Sequence, residues 1–311
     1  MEFTHFKNAI VFKAELPGAE DLAKHLLERP FEDLPENMLS RSGFVPNAFT
    51  GELVSVFQGG YAFTLREDSK VLPMHLVKAE ATRIVKQVEK ERDVRLKKVE
   101  RDAIAEQTLA LMCKKALVES SYTTCFYHTD EKLLIVPTAS KSMARMIVGV
   151  LVHVVGSVKT TTIHISDIKN GLTTRLKNHL EGQPSAFGEL LLGNLVELKK
   201  KGQKSQKVSY QLDDLAAGKS GLIEALENKL EVHSIRFEHG EVEFKLNDEF
   251  QFSSINFATD PAYDSSELED MAHVWRHEAS VQMLELVSSI KHICDLLGYK
   301  PPVDGEEDEA A

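Results

Sequence analysis

Residues 73–117 carry a helical apolar pattern that is interrupted at its centre by five consecutive charged residues. Before the interruption, apolar residues recur at spacings of three and four, as on one helix face: Val77, Ala81, Ile84 and Val88. The interrupting segment, Glu89-Lys90-Glu91-Arg92-Asp93, has no apolar face to bury. The sequence therefore predicts either a helical arm that projects into solvent or two helices that meet at this segment.

Strand and helix patterns alternate on both sides of this stretch. Strands are predicted at 6–16, 52–57, 61–65, 122–128, 133–136, 160–165, 232–237 and 242–246, and helices at 19–27, 141–155 (with Ser140 as N-cap) and 172–180. A last helix is indicated by one apolar stripe: Met283, Leu286, Val287, Ile290, Ile293, Cys294 and Leu297. This order predicts an α+β protein with antiparallel sheets and a C-terminal helix rather than a doubly wound parallel sheet.

Four regions follow from these patterns. We predict a central α+β domain at 1–72 and 120–170, a projecting helical arm at 73–119, and a second α+β region with the C-terminal helix at 171–300. Residues 301–311 are predicted to form an acidic, disordered tail, because this short end carries five acids and no base.

The charge of the chain is unevenly distributed. There are 37 Lys and Arg against 48 Asp and Glu, a net charge of −11, which excludes a uniformly basic, histone-like protein. Residues 221–311 alone have a net charge of −15, which leaves +4 for residues 1–220. Basic side chains crowd within the arm: Arg92, Arg95, Lys97, Lys98, Arg101, Lys114 and Lys115.

Such a cluster permits contact with a row of phosphates, because Lys97 and Arg101 are four residues apart and share a helix face. No Phe, Trp or Tyr lies between residues 64 and 122, which disfavours a base-stacking platform for single strands. The residues therefore allow a sequence-indifferent binder of the DNA backbone. The alternative is that these charges only solvate helices.

Several motifs fail on their spacing. Gly218-Lys219-Ser220 matches the end of a phosphate-binding loop, but Asp213 stands where its first glycine belongs, so a helix-terminating loop is the better interpretation. His273 and His277 are one turn apart without an HEXXH motif, which favours surface histidines. We therefore predict no metal site and no cofactor.

Two other kinds of catalytic site have weak support. Asp167 followed by Glu197 and Lys199 has the outline of a metal-dependent nuclease, but the Glu-x-Lys pattern recurs elsewhere and chance readily produces it. Cys113 and Cys125 lie among apolar or β-rich residues without a catalytic signature, as buried structural cysteines do. We therefore expect no enzymatic activity, with a nuclease as the weaker alternative.

The chain is expected to be an intracellular, soluble protein without a membrane partner. Its three cysteines form no CxxC pair, and its best apolar run, 146–155, is too short to span a bilayer. No basic segment leads into an apolar run at the N-terminus, so no signal peptide is predicted.

The arm and its flanks resemble the recombination-associated RdgC family. Order and spacing agree through about residue 165 and again near the C-terminal helix. The matching stretches are Phe6-Lys7-Asn8, Gly43-Phe44-Val45-Pro46, Lys70-Val71-Leu72-Pro73, Leu96-Lys97-Lys98, Lys114-Lys115-Ala116, Leu133–Val136, Glu285-Leu286 and Leu296-Leu297-Gly298. No single stretch is diagnostic, and the collinear set carries the resemblance.

The resemblance implies a non-enzymatic, nucleoid-associated protein of the cytoplasm that binds duplex DNA with little sequence preference. It also implies a multi-lobed, ring-forming homodimer through which DNA passes, and which restrains RecA-dependent recombination, with RecA as a candidate partner. The family's basic segments fall on the Lys and Arg residues of the arm. Leu117 falls at the dimer interface, where relatives carry an aromatic, and Val94 stands where an arginine is expected. Residues 199–215 cover the region of the family's second interface, to which the sequence assigns no particular residues. The competing hypothesis is a protein-interaction regulator of recombination that does not touch DNA.

Overall fold

The computed structural model describes residues 6–156, 158–163, 168–200, 207–211, 215–258 and 270–299. The strands are β1 (Asn8–Ala14), β2 (Ser40–Val45), β3 (Val54–Phe57), β4 (Gly60–Lys70), β5 (Val118–His128), β6 (Leu133–Val136), β7 (Thr160–Thr162), β8 (Leu191–Lys200), β9 (Lys207–Gln211), β10 (Leu230–His239), β11 (Val242–Asn247) and β12 (Gln251–Phe257). The helices are α1 (Ala19–Glu28), α2 (Met74–Arg92), α3 (Lys98–Lys115), α4 (Lys141–Val155), α5 (Ile168–Leu180), α6 (Leu215–Glu227) and α7 (Met271–Leu296), with a 3-10 turn at Pro184–Phe187.

All of the described strands join in one sheet, and every pair in it is antiparallel. The order is β2-β4-β5-β6-β1-β12-β11-β10-β8-β9, with β3 beside β4 and β7 beside β1. The predicted α+β class, the antiparallel pairing and the C-terminal helix are confirmed. We expected several sheets, whereas β1 pairs with both β6 and β12 and so connects the earlier strands to the later ones.

Helices cover both faces of the sheet at its centre. Ala9 and Val11 of β1 belong to a core beneath α5, α6 and α7, whereas Ile10 and Phe12 belong to a second core beneath α1 and α4. Strands buried on both faces need apolar residues at every position, which explains the continuous apolar run of β6, Leu133–Val136. The four predicted domain boundaries stay predictions, and the sheet runs through two of the predicted regions.

The predicted capping of α4 is confirmed, because the Ser140 hydroxyl accepts a hydrogen bond from the Met143 backbone N–H. One local prediction was wrong: Gly218, Lys219 and Ser220 lie inside α6 and not in a helix-terminating loop. The predicted disordered tail, 301–311, lies outside the described residues. No helix in the described ranges combines the length and apolarity that crossing a membrane requires.

Candidate nucleic-acid interface

The arm predicted at 73–119 extends from one end of a long β-ribbon. β4 and β5 pair over eleven positions, from Gly60 opposite His128 to Lys70 opposite Val118. α2 follows β4, and α3 leads into β5. All of this stretch is described. Only Val77 and Ala81 of α2 and Thr108 and Cys113 of α3 are buried. The two helices therefore expose most of their side chains.

The five charged residues found in the sequence form the end of α2 and the turn into α3. Asp93 has a left-handed backbone conformation (φ 52°), and this ends α2. Asp tolerates this conformation better than most residues do. The Glu89 carboxylate accepts a hydrogen bond from the Leu96 backbone N–H at 2.9 Å, and Leu96 is buried. Of the two predicted alternatives, the structure therefore has two helices that meet at this turn.

The first turn of α3 is fixed by a second acid. Glu100 accepts a hydrogen bond from the Lys97 backbone N–H at 2.8 Å, a helix-capping contact. Its other oxygen lies 3.9 Å from Arg92 Nη1. Acidic residues of the arm therefore hold its backbone, so their charge does not simply cancel the neighbouring cations.

All seven predicted DNA-binding residues are exposed, but the structure places them in two groups. The tip cluster lies at and beside the α2–α3 turn and comprises Arg92, Arg95, Lys97, Lys98 and Arg101. The root lysines, Lys114 and Lys115, end α3 next to the ribbon. Of these seven side chains, Arg92 alone has an acidic partner within 4.0 Å among the described residues. The other six cations are available to an external anion.

The two groups are separated by the length of α3. At 1.5 Å per residue, Lys98 and Lys115 lie about 25 Å apart along the axis, the length of roughly seven base pairs of duplex. At 100° per residue, Lys98, Arg101 and Lys115 fall within an arc of roughly 100°, whereas Lys114 faces away from Lys98. Residues 102–113 contain no Lys or Arg. The arm therefore presents two positive patches and not a continuous stripe.

Apolar surface adjoins the root lysines. Leu117, the predicted dimer contact, is 80% exposed, and its carbonyl accepts a hydrogen bond from the Val71 N–H. Between α2, α3 and residues 71–73 lies a groove of about 500 Å³, whose lining includes Leu72, Ile84, Leu111, Met112 and Lys115. An exposed apolar groove beside exposed leucines is typical of a surface that contacts protein.

The nuclease outline is only partly described. Asp167 lies outside the described residues. Glu197 is buried on the face of β8 opposite the core, with Oε1 2.8 Å from Lys207 Nζ and Oε2 2.5 Å from Lys245 Nζ. The Ser234 hydroxyl also donates to Oε2. Burial raises the pKa of Glu197, but these three hydrogen bonds outweigh it and lower the pKa to about 2.

The region of the family's second interface, 199–215, comprises the end of β8, the whole of β9 and the first residue of α6. Lys199 and Lys207 lie opposite each other on β8 and β9. Residues 201–206 and 212–214 lie outside the described residues, so this region adds no geometry to the interface prediction.

Other sequence-based assignments can be compared directly. Cys113 and Cys125 are buried, as predicted, and His273 and His277 are exposed on α7. Sequence reasoning missed a group of Glu189, His239 and His292, whose side chains meet near α7. No spacing signals this group, because its members come from three distant elements.

The family model and the similar proteins all point to the same family. A family model described as "Putative exonuclease, RdgC" matches residues 4–300. The chain is 21% identical over 306 residues to a "Recombination-associated protein RdgC" of Actinobacillus succinogenes, covering 94% of this chain and 97% of that protein. It is 22% identical over 302 residues to the protein of that name from Shewanella sediminis, with 94% and 97% covered.

A further relative of the same name, from Mannheimia succiniciproducens, is 24% identical over 156 residues, which cover 49% of this chain and 52% of that protein. The aligned region thus spans about half the length of that relative. The resemblance found in the sequence is confirmed by the family match. Since that match extends over nearly the whole chain, the chain belongs to the RdgC family of recombination-associated proteins.

Proposed function

We propose that this protein is a non-enzymatic, homodimeric binder of duplex DNA that acts without sequence preference and modulates RecA-dependent recombination. The observation that carries the proposal is the arm, where seven exposed cations lie at the two ends of α3 and six of them have no acidic partner among the described residues. The relatives' printed name, which links them to recombination, supports the cellular context. The proposed location is the cytoplasm, on the nucleoid.

The expected binding energy is electrostatic. Lys and Arg that neutralise phosphates release condensed counterions, and such contacts carry no sequence information. The acidic excess after residue 220 opposes indiscriminate coating of nucleic acid, because attraction comes from the basic segments before it, of which the arm is one. A surface of this kind positions a duplex along its backbone and leaves the bases unread.

The homodimer is proposed to close through Leu117 and the groove beside it. Leu117 is exposed and apolar, and it lies immediately after the root lysines. A dimer contact at this place would bring two sets of root lysines into one assembly. DNA would then pass between the protomers, which is the ring arrangement that the family resemblance implies.

The test is a charge reversal with a matched control. Lys97, Lys98 and Lys115 are replaced by Glu, and the control replaces three exposed lysines outside the arm, Lys24, Lys177 and Lys229, by Glu. Both variants change the net charge equally. The arm variant is expected to weaken binding to every duplex alike, by at least about tenfold at low salt, while the control stays near wild type. Equal affinities for the two variants would contradict the proposal.

Ring closure needs a separate measurement. The wild-type protein is bound to linear and to closed circular duplexes of the same length, and its dissociation is followed after a salt jump. A protein that encircles DNA slides off linear ends and persists on circles. Identical lifetimes on both would contradict encirclement while leaving backbone binding intact.

The groove favours a second candidate function, a regulator that binds the recombination machinery directly and not DNA. Its apolar lining could seat a side chain of a partner protein. This alternative predicts no gel shift on random duplex at moderate salt and a complex with RecA that forms without DNA. Replacement of Leu111 by Glu would abolish that complex.

A nuclease remains the third candidate because the matching family model is described with that activity. The two lysines on Glu197 weigh against it, since both carboxylate oxygens are occupied. The alternative predicts Mg²⁺-dependent cleavage of DNA that is lost in Asp167→Ala. Absence of cleavage in the wild type would eliminate it.

A further inference from the structure

Three potential metal ligands from distant parts of the chain meet beside the C-terminal half of α7. Glu189 lies between the 3-10 turn and β8, His239 is the last residue of β10, and His292 lies on α7. One ligand atom from each lies within 4.8 Å of those from the other two. Among the described residues, no other three His, Cys, Asp or Glu side chains meet this condition.

The orientation of His239 is fixed from behind. Its Nδ1 lies 3.0 Å from the Ser289 hydroxyl, which donates its own proton to the Glu285 carbonyl at 3.0 Å. The serine oxygen can therefore only accept, so His239 Nδ1 carries the proton and Nε2 carries the lone pair. Nε2 lies 3.9 Å from Glu189 Oε2. Metal-binding histidines are typically held by such an outer hydrogen bond.

His292 also presents a lone pair. His292 Nε2 lies 3.2 Å from the Glu189 backbone nitrogen, whose N–H donates to it in the tautomer with the lone pair on Nε2, and 3.4 Å from the Phe187 carbonyl oxygen. The His239 and His292 rings stack with centroids 5.2 Å apart. Gly188 allows the loop to come this close, because a Cβ at that position would lie 2.6 Å from His292 Nε2. In these tautomers each imidazole has a lone pair that a metal can bind.

We propose that Glu189, His239 and His292 bind one Zn²⁺ ion per chain, with water completing the coordination. Two imidazoles and one carboxylate match the ligand preference of zinc and not the all-oxygen preference of Mg²⁺ or Ca²⁺. Tetrahedral zinc needs ligand atoms about 3.4 Å apart, so the group must contract by roughly 1 Å. Glu189, whose side chain is 83% exposed, is free to move inwards.

Binding would exchange one contact for a stronger one. The ion takes over the His292 lone pair that now accepts from the Glu189 N–H, and that N–H lies in an exposed loop where water can replace the histidine. The site would then link the loop before β8 to both β10 and α7. An ion that binds only the folded state raises the stability of the protein.

The test uses full-length protein freed of metal with EDTA and titrated with Zn²⁺ by calorimetry. We expect one Zn²⁺ per chain and a rise in Tm that EDTA reverses. Glu189→Gln keeps the size of an exposed side chain and should weaken binding by at least about tenfold, as should His292→Gln. Ser289→Ala, which frees the His239 ring, should also weaken binding by about tenfold or more.

The matched control is His273→Ala, an exposed histidine on the same helix that belongs to the other histidine pair of α7. It should bind Zn²⁺ like the wild type. The proposal is overturned if wild-type protein takes up no Zn²⁺ at about 100 µM, if Glu189→Gln and His292→Gln both bind like the wild type, or if His273→Ala is the variant that loses binding.

Discussion

Glu89 and Leu96 are joined across the turn of the arm by a hydrogen bond of 2.9 Å, from the Leu96 backbone N–H to the Glu89 carboxylate. An acid thus holds the turn around which the tip cluster is arranged. Two effects of Glu89 on DNA binding therefore have opposite signs: its charge opposes a phosphate, whereas its hydrogen bond orders the arm.

Glu89→Ala separates these effects. We expect the variant to lose about 1 kcal/mol of unfolding free energy in denaturant titrations, as on loss of a helix cap. We also expect it to bind duplex DNA more weakly, although removal of the carboxylate takes away one negative charge. Glu91→Ala is the control, because the Glu91 side chain bonds only the Gln87 side chain in the described structure. Tighter binding by both variants would show that charge alone matters.

The salt dependence of binding reports on each cation group. Replacing Lys98 and Arg101 of the tip cluster by Gln should reduce the slope of log K against log salt by roughly 1.8, since each phosphate contact contributes about 0.9. Replacing the root lysines should reduce it by roughly 0.9 if one duplex spans α3, because Lys115 shares a helix face with Lys98 and Lys114 does not. An unchanged slope for the root variant, measured by fluorescence anisotropy, would confine DNA to the tip.

Leu117→Glu should weaken self-association, because a charge in an apolar contact must be desolvated. Light scattering coupled to gel filtration measures the shift towards monomer. Leu27→Glu is the control, since Leu27 is a comparably exposed leucine on α1. If both variants remain dimeric at the lowest concentration measured, Leu117 lies outside the interface.

Glu197→Gln should destabilise the protein in a pH-dependent manner. The folded-state pKa of Glu197 is lowered to about 2, so its contribution is fully present above its ordinary value and is lost as the pH falls towards 2. We expect a loss of about 2–3 kcal/mol at pH 7 that shrinks steadily below pH 4.5. Denaturant titrations from pH 7 to pH 3 measure it, and a pH-independent difference would contradict the assignment.

The single tryptophan reports on how α7 is docked on the sheet. Trp275 stacks on Phe126 of β5 with ring centroids 6.2 Å apart, and it meets Phe57 of β3 edge-on. Trp275→Ala should cost about 3–5 kcal/mol in chemical denaturation followed by circular dichroism. Met271→Ala, an exposed position on the same helix, should cost little. A small loss for both would mean that α7 contributes little to the core.

The elements predicted correctly from sequence are those with regular spacing. α1, α4 and α7 have clear apolar faces, and the strands predicted at 52–57, 61–65, 122–128 and 133–136 are found in β3, β4, β5 and β6. β12 was missed because Ser254 has a left-handed backbone (φ 50°) near a register shift, which breaks the alternation between Phe252 and Ile255. Sequence alternation cannot reveal a strand whose own geometry interrupts it.

β8 was not predicted from the sequence, for a related reason. Gly193 sits where a Cβ would lie 2.8 Å from the Arg236 side chain, beside a register shift in the pairing with β10. The glycine that permits this close approach also removes a side chain from the alternating pattern. β2 likewise has Gly43 against Phe31, with a Cβ at that position only 2.6 Å from the Phe31 Cα.

The candidate interface was predictable in residue type but not in arrangement. The basic residues of the arm were found by composition, and helix geometry separates Lys98 from Lys115 by most of the length of α3. The hydrogen bonds that commit Glu89 and Glu100 to the backbone depend on a turn whose conformation sequence does not specify. The group around His239 depends on how α7 packs beside the assembled sheet, which brings β10 to α7.

The central position of β1 has a consequence for the growing chain on the ribosome. β1, β6 and β7, which pairs with the second half of β1, are all synthesised before β12, which pairs with Asn8–Ile10, so Asn8 must wait for Ser253. Until then, the first half of one edge of β1 has unpaired backbone donors and acceptors and can join another strand. The central strand of the sheet thus completes its pairing late, and we expect this to slow folding and to leave nascent chains open to mispairing with one another.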